Sequence, residues 1–168
     1  MLTTMRARRG NHARLRVRRA LWDQLMREMA RRSNGRTEAG AFLLGNRDGD
    51  GRTITHLCYF DDLDATSLAG GIALSGLAFS KLWDLCDAEN LRVLADVHSH
   101  PRRWVEQSSI DQAHPMIARA GHVGLIVPDY AQGRVRAKAV GVHTYDGVNW
   151  RSSFGSEAAR LLFIRRLL

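Results

Sequence analysis

A short apolar run that leads directly into a polar cluster places the strongest constraint on how this chain can fold. The run LRVLADV has the continuous apolar character of a buried strand, and the sequence HSHP follows it at once. The segment SSIDQAHPMIARA, which begins at Ser108, predicts a helix whose first turn contains Asp111. A strand end that faces a helix start gives His98, His100 and Asp111 a rigid common frame.

Two imidazoles and a carboxylate on such a frame form a donor set for a metal ion. Three nitrogen or oxygen ligands with an open fourth position are typical of catalytic zinc, whereas structural zinc sites are usually closed and rich in thiolate. The sequence therefore predicts a zinc site made by His98, His100 and Asp111. A coincidental His-x-His pair is the alternative, and the added offsets of Ser108 and Asp111 argue against it.

The order His-x-His, seven residues, Ser, two residues, Asp resembles the motif of the JAMM (MPN+, or JAB) zinc metalloproteases, with no residue inserted or missing. That family also has a glutamate at the start of the strand that follows the first helix, and Glu38 in TEAGAFLLG fits this position. The resemblance covers roughly residues 13–150. It implies a stand-alone bacterial, deubiquitinase-like member with a mixed α/β fold of the cytidine deaminase-like kind.

The resemblance also implies a role for each residue of the motif. His98, His100 and Asp111 would hold zinc, with water in the fourth position. Glu38 would take a proton from that water and pass it to the leaving amine. Ser108 would donate a hydrogen bond to the oxyanion, although a serine at this place is also a favoured helix N-cap.

The segment DDLDATSLAGGIALSG has little pattern and predicts a loop with a short edge strand. JAMM enzymes hold an extended substrate tail against the sheet edge near such an insertion, which is an instance of strand addition. Trp104, between His100 and Ser108, is a further candidate for substrate contact at the cleft rim, with packing over its loop as the alternative. The candidate contacts in the insertion are Leu68, Ala69, Gly70 and Gly71.

The implied function is hydrolysis of the amide or isopeptide bond after the C-terminal tail of a ubiquitin-like protein. One implied setting is an antiphage-defence operon for ubiquitin-like conjugation, with activating and conjugating enzymes as pathway partners. One alternative is release of a sulfur-carrier protein's tail in cysteine or cofactor biosynthesis. A second is a DNA-associated binding module of the same fold, although PRRWVEQ differs from the Pro-Ser-Gly-Asp-like loop of that branch. A Ser-His-Asp hydrolase would need a nucleophile-elbow signal, and the sequence has none.

The composition fits a single enzyme domain. The 168 residues, 45% of them hydrophobic, are enough to bury one core. No apolar stretch reaches the length of a membrane span and the start has no apolar signal region, so we expect a cytoplasmic protein. Cys58 and Cys86 lie within apolar patterns, which predicts burial as small hydrophobic residues. We predict a basic tail over residues 1–12 and one domain over residues 13–168.

The chain carries a net charge of +8, from 25 Lys and Arg against 17 Asp and Glu. Much of the excess precedes Glu38. Such charge can bind nucleic acid or steer an acidic protein partner. The sequence has no recognisable nucleic-acid motif and few aromatic residues to stack on bases, so an acidic protein partner or a solvated basic face is favoured.

Hydrophobic periodicity predicts the remaining elements. A first helix, ended by Asn34-Gly35, places Leu21, Trp22, Leu25, Met26 and Met29 on one face. AGAFLLG and RTITHLCYF predict a hairpin, and LAFSKLWDLCDAEN predicts a second helix. Further strands are predicted in HARLRVR, GHVGLIVPDY, RVRAKAVGVHTY and VNWRSS. SEAARLLFIRRLL predicts a C-terminal helix capped by Ser156. Together they predict a mixed sheet flanked by helices.

Overall fold

The computed structural model describes residues 14–166, so the basic tail predicted over residues 1–12 lies outside the described part. The strands are β1 (Leu15–Arg18), β2 (Gly40–Asn46), β3 (Thr53–Ile54), β4 (His56–Tyr59), β5 (Leu91–Ser99), β6 (Val123–Val127), β7 (Gly141–Tyr145), β8 (Trp150–Ser153) and β9 (Leu162–Arg165). The helices are α1 (Arg19–Ser33), α2 (Phe60–Leu63), α3 (Gly76–Ala88), α4 (Ser109–Ala113) and α5 (Gly155–Leu161). Two short 3-10 turns, Asp129–Ala131 and Ala137–Ala139, lie between β6 and β7.

The larger sheet has six strands in the order β4-β2-β5-β6-β7-β8. β5 and β6 run parallel, and the other neighbouring pairs run antiparallel. Successive residues of β2 face opposite sides of this sheet. Ala41 and Leu43 join the core that includes α1, while Phe42 and Leu44 join the core that includes α2 and α3. The predicted mixed sheet flanked by helices is therefore confirmed.

The first helix packs on one face of this sheet through its predicted apolar stripe. Leu21, at the edge of the stripe, is only partly buried. Asn34 ends the helix in the left-handed conformation, with a φ of 49°. The fully buried residues of the stripe are Trp22, Leu25, Met26 and Met29.

The second core, on the other face of the sheet, contains both cysteines. Cys58 of β4 and Cys86 of α3 are unpaired and buried there. The prediction that they act as small hydrophobic residues is confirmed.

A second sheet of three parallel strands, in the order β3-β1-β9, corrects two predictions. The strand predicted in RTITHLCYF is divided at Thr55, whose N–H bonds to the carbonyl of Leu44. The part before Thr55 pairs with β1, and the part after it completes the predicted hairpin with β2. The single strand predicted here is therefore two strands, β3 and β4, and each belongs to a different sheet.

The predicted C-terminal helix is shorter than its sequence indicated. α5 ends at Leu161, and the following residues form β9 alongside β1. Leu162 is buried and Phe163 is exposed, an alternation that suits a strand better than a helix. Ser156 is not the cap, because Phe154 occupies that position and makes no side-chain cap bond.

The segment between α2 and α3 contains no strand, contrary to the edge strand predicted there. Instead, the Asp64 carboxylate accepts hydrogen bonds from Thr66 near its start and from the backbone of Ser75 at its end. Those bonds hold the two ends of the segment together, as in a compact surface loop. Across residues 14–166, no helix combines the length and apolar character needed to cross a bilayer.

Candidate metal centre

The two histidines of the motif lie where β5 leaves the larger sheet. His98 is within the strand, opposite Ile126 of β6 and Gly40 of β2. His100 follows it, with its N–H bonded to the carbonyl of Val127 and its carbonyl bonded to the N–H of Tyr130. The backbone on both sides is therefore fixed, and the i, i+2 spacing directs both imidazoles to one side.

Three potential ligand groups meet at this point. The Nε2 atoms of His98 and His100 are 3.2 Å apart. Each lies 3.5 Å from one carboxylate oxygen of Asp111. Donors held about 2.0–2.1 Å from a tetrahedral zinc ion lie about 3.3 Å from one another. The separation of the two imidazole nitrogens fits that geometry. The two carboxylate distances run to different oxygens, Oδ1 from His98 and Oδ2 from His100, and the three groups together can hold a metal ion.

Asp111 is placed by a reciprocal cap at the start of α4. The Ser108 hydroxyl accepts a hydrogen bond from the N–H of Asp111, and the Asp111 carboxylate accepts one from the N–H of Ser108. The N-cap alternative for Ser108 is thus observed. The helix is shorter than predicted, because Pro115 disfavours helical torsions at His114, which adopts φ −127° and ψ 69°.

The ionisation of these groups is coupled. Burial lowers the pKa of His98, but the hydrogen bond and negative charge of Asp111 outweigh it, so this pKa is raised overall. Burial raises the pKa of Asp111, but hydrogen bonds from His100 and His98 outweigh it and hold this pKa well below its usual range. Asp111 is therefore ionised near neutral pH, which is the form in which a carboxylate binds metal.

Glu38 reaches the same site from the start of β2. Two hydrogen bonds join its neighbour Ala39 to Ser99, which lies between the two histidines. The next residue, Gly40, pairs with His98, and a Cβ there would collide with the Phe60 ring. Glycine is needed for this close passage, and the strand pairing fixes Glu38 beside the histidines.

A cleft of about 370 Å³ contains these groups. Glu38, His98, Ser108 and Asp111 all line it, so four of the five residues predicted for catalysis and metal binding share one cavity. His114, which follows α4, lines it as well.

Two of the four residues predicted to contact substrate from the segment between α2 and α3 line the cleft. Gly70 and Gly71 line the cleft. Leu68 instead packs against both cores, and Ala69 is exposed without forming part of the cleft wall. Substrate contact by Leu68 and Ala69 stays a prediction.

Trp104 lies against a metal-site histidine. Its ring centroid is 4.2 Å from that of His100, and 44% of the residue is exposed. It covers the outer side of His100 but does not line the cleft. The packing alternative is observed, and contact with substrate stays a prediction.

His143, to which the sequence assigned no role, supports the loop that links His100 to Ser108. Its Nε2 is 2.9 Å from the carbonyl of Val105, and its Nδ1 is 2.8 Å from the hydroxyl of Ser152. A carbonyl only accepts, so Nε2 carries the proton and Nδ1 accepts from the serine. Such a partnership with a backbone carbonyl leaves no signal in the sequence.

A buried acid–imidazole pair also borders the cleft. Asp96, two residues before His98 on β5, lies 2.5 Å from Nε2 of His122, and both are buried. Asp96 lines the cleft together with Trp150, whose indole N–H donates to the carbonyl of Gln112 in α4. The alternation of side chains along β5 is a sequence signal that could have revealed Asp96.

Solved structures resemble this fold, although the sequence matches no family model. A solution structure of a Desulfitobacterium hafniense protein has a TM-score of 0.63 and 17% identity, covering 92% of this chain and 94% of that one. A solution structure of a Salinibacter ruber protein has a TM-score of 0.55 and 17% identity, covering 90% and 91%. These two similarities support the mixed α/β fold.

A JAB1/MPN domain protein from Archaeoglobus fulgidus is also similar. Its crystal structure has a TM-score of 0.45 and 17% identity, and the match covers 80% of this chain and 92% of that one.

Proposed function

We propose that this protein is a zinc-dependent metallopeptidase of the JAMM type that hydrolyses the amide bond after the C-terminal tail of a ubiquitin-like protein. The observation that carries the proposal is the meeting of His98, His100 and Asp111 at ligand separations, with Glu38 on a wall of the same cleft. The order of these residues along the chain also matches the motif of that family.

The reaction needs a nucleophile and a proton carrier. His98, His100 and Asp111 would hold zinc, which when bound would supply Lewis acidity and bring the pKa of water towards about 7. Glu38 accepts the proton that water loses as its oxygen adds to the carbonyl carbon. It then gives that proton to the amine nitrogen as the C–N bond breaks. A carboxylate held beside the ligands by strand pairing is suited to this transfer.

Ser108 can serve as both cap and catalyst. Its oxygen accepts from the N–H of Asp111 through a lone pair, which leaves the hydroxyl hydrogen available to donate. That hydrogen can bond to the oxyanion that forms on the substrate carbonyl. The cap fixes the position of the oxygen, so the donor is held in place before substrate arrives.

The cleft is suited to a narrow substrate segment. Gly70 and Gly71 form part of its wall without side chains, while Ile72 and Met116 add apolar surface. An extended protein tail fits such a passage better than a folded surface does. A ubiquitin-like protein presents its scissile bond on a tail of this kind, and the same chemistry applies to a precursor tail or an isopeptide.

The test is metal-dependent cleavage of a panel of ubiquitin-like proteins and sulfur-carrier proteins, each extended by a C-terminal peptide. We expect cleavage after one tail in zinc-loaded protein. Glu38→Gln should keep zinc while turnover falls by about 100-fold or more, the scale for losing a general acid–base group. Glu106→Gln is the matched control, because Glu106 is an exposed glutamate in the loop after His100 and does not line the cleft.

Two outcomes of the panel would change the conclusion. Absence of zinc from protein supplied with zinc, or equal turnover in the two glutamine variants, would contradict the proposed chemistry. Cleavage restricted to sulfur-carrier tails would place the enzyme in cysteine or cofactor biosynthesis. Cleavage of ubiquitin-like conjugates would favour a cytoplasmic conjugation or defence pathway with its own activating and conjugating enzymes.

A further inference from the structure

The two arginines in the last turn of α1, Arg31 and Arg32, are occupied by neighbouring carboxylates. Arg31 bonds to Glu28 at 2.8 Å. Arg32 bonds to Asp61 and Asp62, each at 2.7 Å. Most of the positive charge expected to steer a partner at this end of α1 is therefore neutralised within the fold.

A different group of arginines surrounds a cavity of about 280 Å³ where β1 passes into α1. Arg19, the first residue of α1, lines it together with Arg134 and Arg136. Among residues 14–166, Arg134 and Arg136 form no ion pair, and Arg19 pairs only with Asp23, at 3.9 Å. This cavity shares no lining residue with the metal cleft.

The guanidinium of Arg19 lacks acceptors. Its Nε and one terminal nitrogen, Nη1, are buried and make no hydrogen bond within the described part of the chain. Buried N–H groups normally have a partner, so the Arg19 guanidinium keeps unused hydrogen-bonding capacity beside the cavity. Three like charges around one cavity also repel one another, and a bound anion would relieve that repulsion.

Arg134 and Arg136 lie on a segment whose backbone is fixed by a hydrogen bond at Val135. The indole N–H of Trp22 donates to the carbonyl of Val135 at 2.9 Å, and the Val135 side chain is buried in the core. In extended backbone, the residues on either side of an inward side chain point outward. Arg136 has such torsions, with φ −95° and ψ 155°. Because the backbone is already fixed, only the exposed side chains of Arg134 and Arg136 have to be ordered when a ligand binds.

The remaining lining of the cavity is apolar and includes an aromatic ring. Phe163 is 44% exposed, and the guanidinium carbon of Arg165 lies 5.4 Å from its ring centroid. An accessible ring beside cations is a platform on which a flat heterocycle can stack. The apolar lining residues are Ala137, Ala159, Leu162, Phe163 and Ile164.

We propose that this cavity is a nucleotide-phosphate site. Arg19, Arg134 and Arg136 hold the phosphate, since guanidinium groups bind its oxygens in a planar, bidentate manner. Phe163 stacks on the base. The volume is at the small end of ligand pockets and suits one nucleotide unit. That unit belongs to a free mononucleotide or to an unpaired nucleotide of a single-stranded nucleic acid, since both present the same chemistry.

The test is calorimetric titration of the full chain at low salt with adenosine 5′-monophosphate, inorganic phosphate, adenosine and a single-stranded thymidine oligonucleotide. We expect the monophosphate to bind more tightly than phosphate or adenosine alone. Arg136→Ala and Arg134→Ala should each weaken it about tenfold or more, the scale for losing a hydrogen bond to a charged group. Phe163→Ala should weaken the monophosphate while leaving inorganic phosphate unchanged. A tighter oligonucleotide with the same dependence would identify nucleic acid as the source.

Arg119→Ala is the matched control, because it removes one exposed arginine outside the cavity. Unchanged melting temperatures would show that all variants fold. Equal losses in Arg119→Ala and Arg136→Ala would overturn the proposal by revealing non-specific charge attraction. Absence of binding, or equal affinity for phosphate and monophosphate, would also overturn it. Binding must persist in Asp111→Ala, since loss there would place the ligand in the metal cleft instead.

Discussion

Ala39 and Ser99 are joined by two hydrogen bonds of opposite direction. The N–H of Ala39 donates to the hydroxyl oxygen of Ser99 at 3.0 Å, and the N–H of Ser99 donates to the carbonyl of Ala39 at 2.9 Å. Both residues are fully buried. Their neighbours Glu38, His98 and His100 are the groups on which the proposed reaction depends, so this junction sets the distance between base and metal ligands.

Ser99→Ala should therefore separate catalysis from metal binding. It leaves the buried N–H of Ala39 without an acceptor, which costs about 1–3 kcal/mol of unfolding free energy. We expect zinc content to stay unchanged while turnover falls, because Glu38 loses part of its support. Urea unfolding, metal analysis and turnover measure the three effects. Ser67→Ala is the control, since the Ser67 hydroxyl is buried with no hydrogen-bond partner among residues 14–166.

Asp111 caps α4 and is a proposed metal ligand, and one pair of variants can separate these two roles. Asp111→Asn keeps an oxygen that can accept from the N–H of Ser108, so α4 should stay capped while the negative ligand is lost. Asp111→Ala removes both the cap oxygen and the negative charge. It should destabilise the protein by about 1 kcal/mol more than Asp111→Asn, which is the usual contribution of a helix cap. Both variants should lose zinc by elemental analysis. Retention of zinc by Asp111→Ala would mean that the carboxylate is not a ligand.

His143 should contribute to acid sensitivity. Burial lowers its pKa below the ordinary value of 6.5. The folded state therefore prefers the neutral ring, and the stabilising effect is complete above pH 6.5 and lost as pH falls through the folded-state pKa. His143→Gln keeps a donor for Val105 but cannot titrate, so its unfolding free energy should fall less steeply below pH 6.5. His56→Gln, which changes an exposed histidine, is the control variant.

Cys58 should resist alkylation in the folded protein. Burial is the largest of the effects that raise the pKa of its thiol from 9.0 to about 11, which lowers the thiolate fraction at pH 8 about 100-fold. Burial also raises the pKa of Cys86. Iodoacetamide should label neither residue at pH 8 until urea unfolds the protein, as followed by mass spectrometry. Rapid labelling of the native protein would show that the second core opens.

Much of the candidate site could be predicted because its parts are local in sequence. His98 and His100 point to the same side of the chain because side chains two residues apart in extended backbone do so. Ser108 and Asp111 lie in the same turn at the start of α4. Glu38 is different, since it reaches the site only through pairing of β2 with β5. Its assignment depended on resemblance to a known motif rather than on periodicity.

The features that escaped prediction depend on long-range contacts made by short segments. β3 and β9 have only two and four residues, too few for a period to show, and both depend on β1 for their pairing. The role of His143 depends on the backbone of Val105, which any residue type would provide.

The pairing of β1 with β9 has a consequence for how the protein is made. β1 and β9 are the first and last strands of the described residues, so a ribosome must synthesise everything between them before these strands can meet. Until then, Leu15 and Val17, which are buried in the finished protein, lack part of their covering. Such late, non-local closure slows folding and leaves strand edges open to other chains. The segment around β1 therefore needs chaperone protection until β9 has emerged.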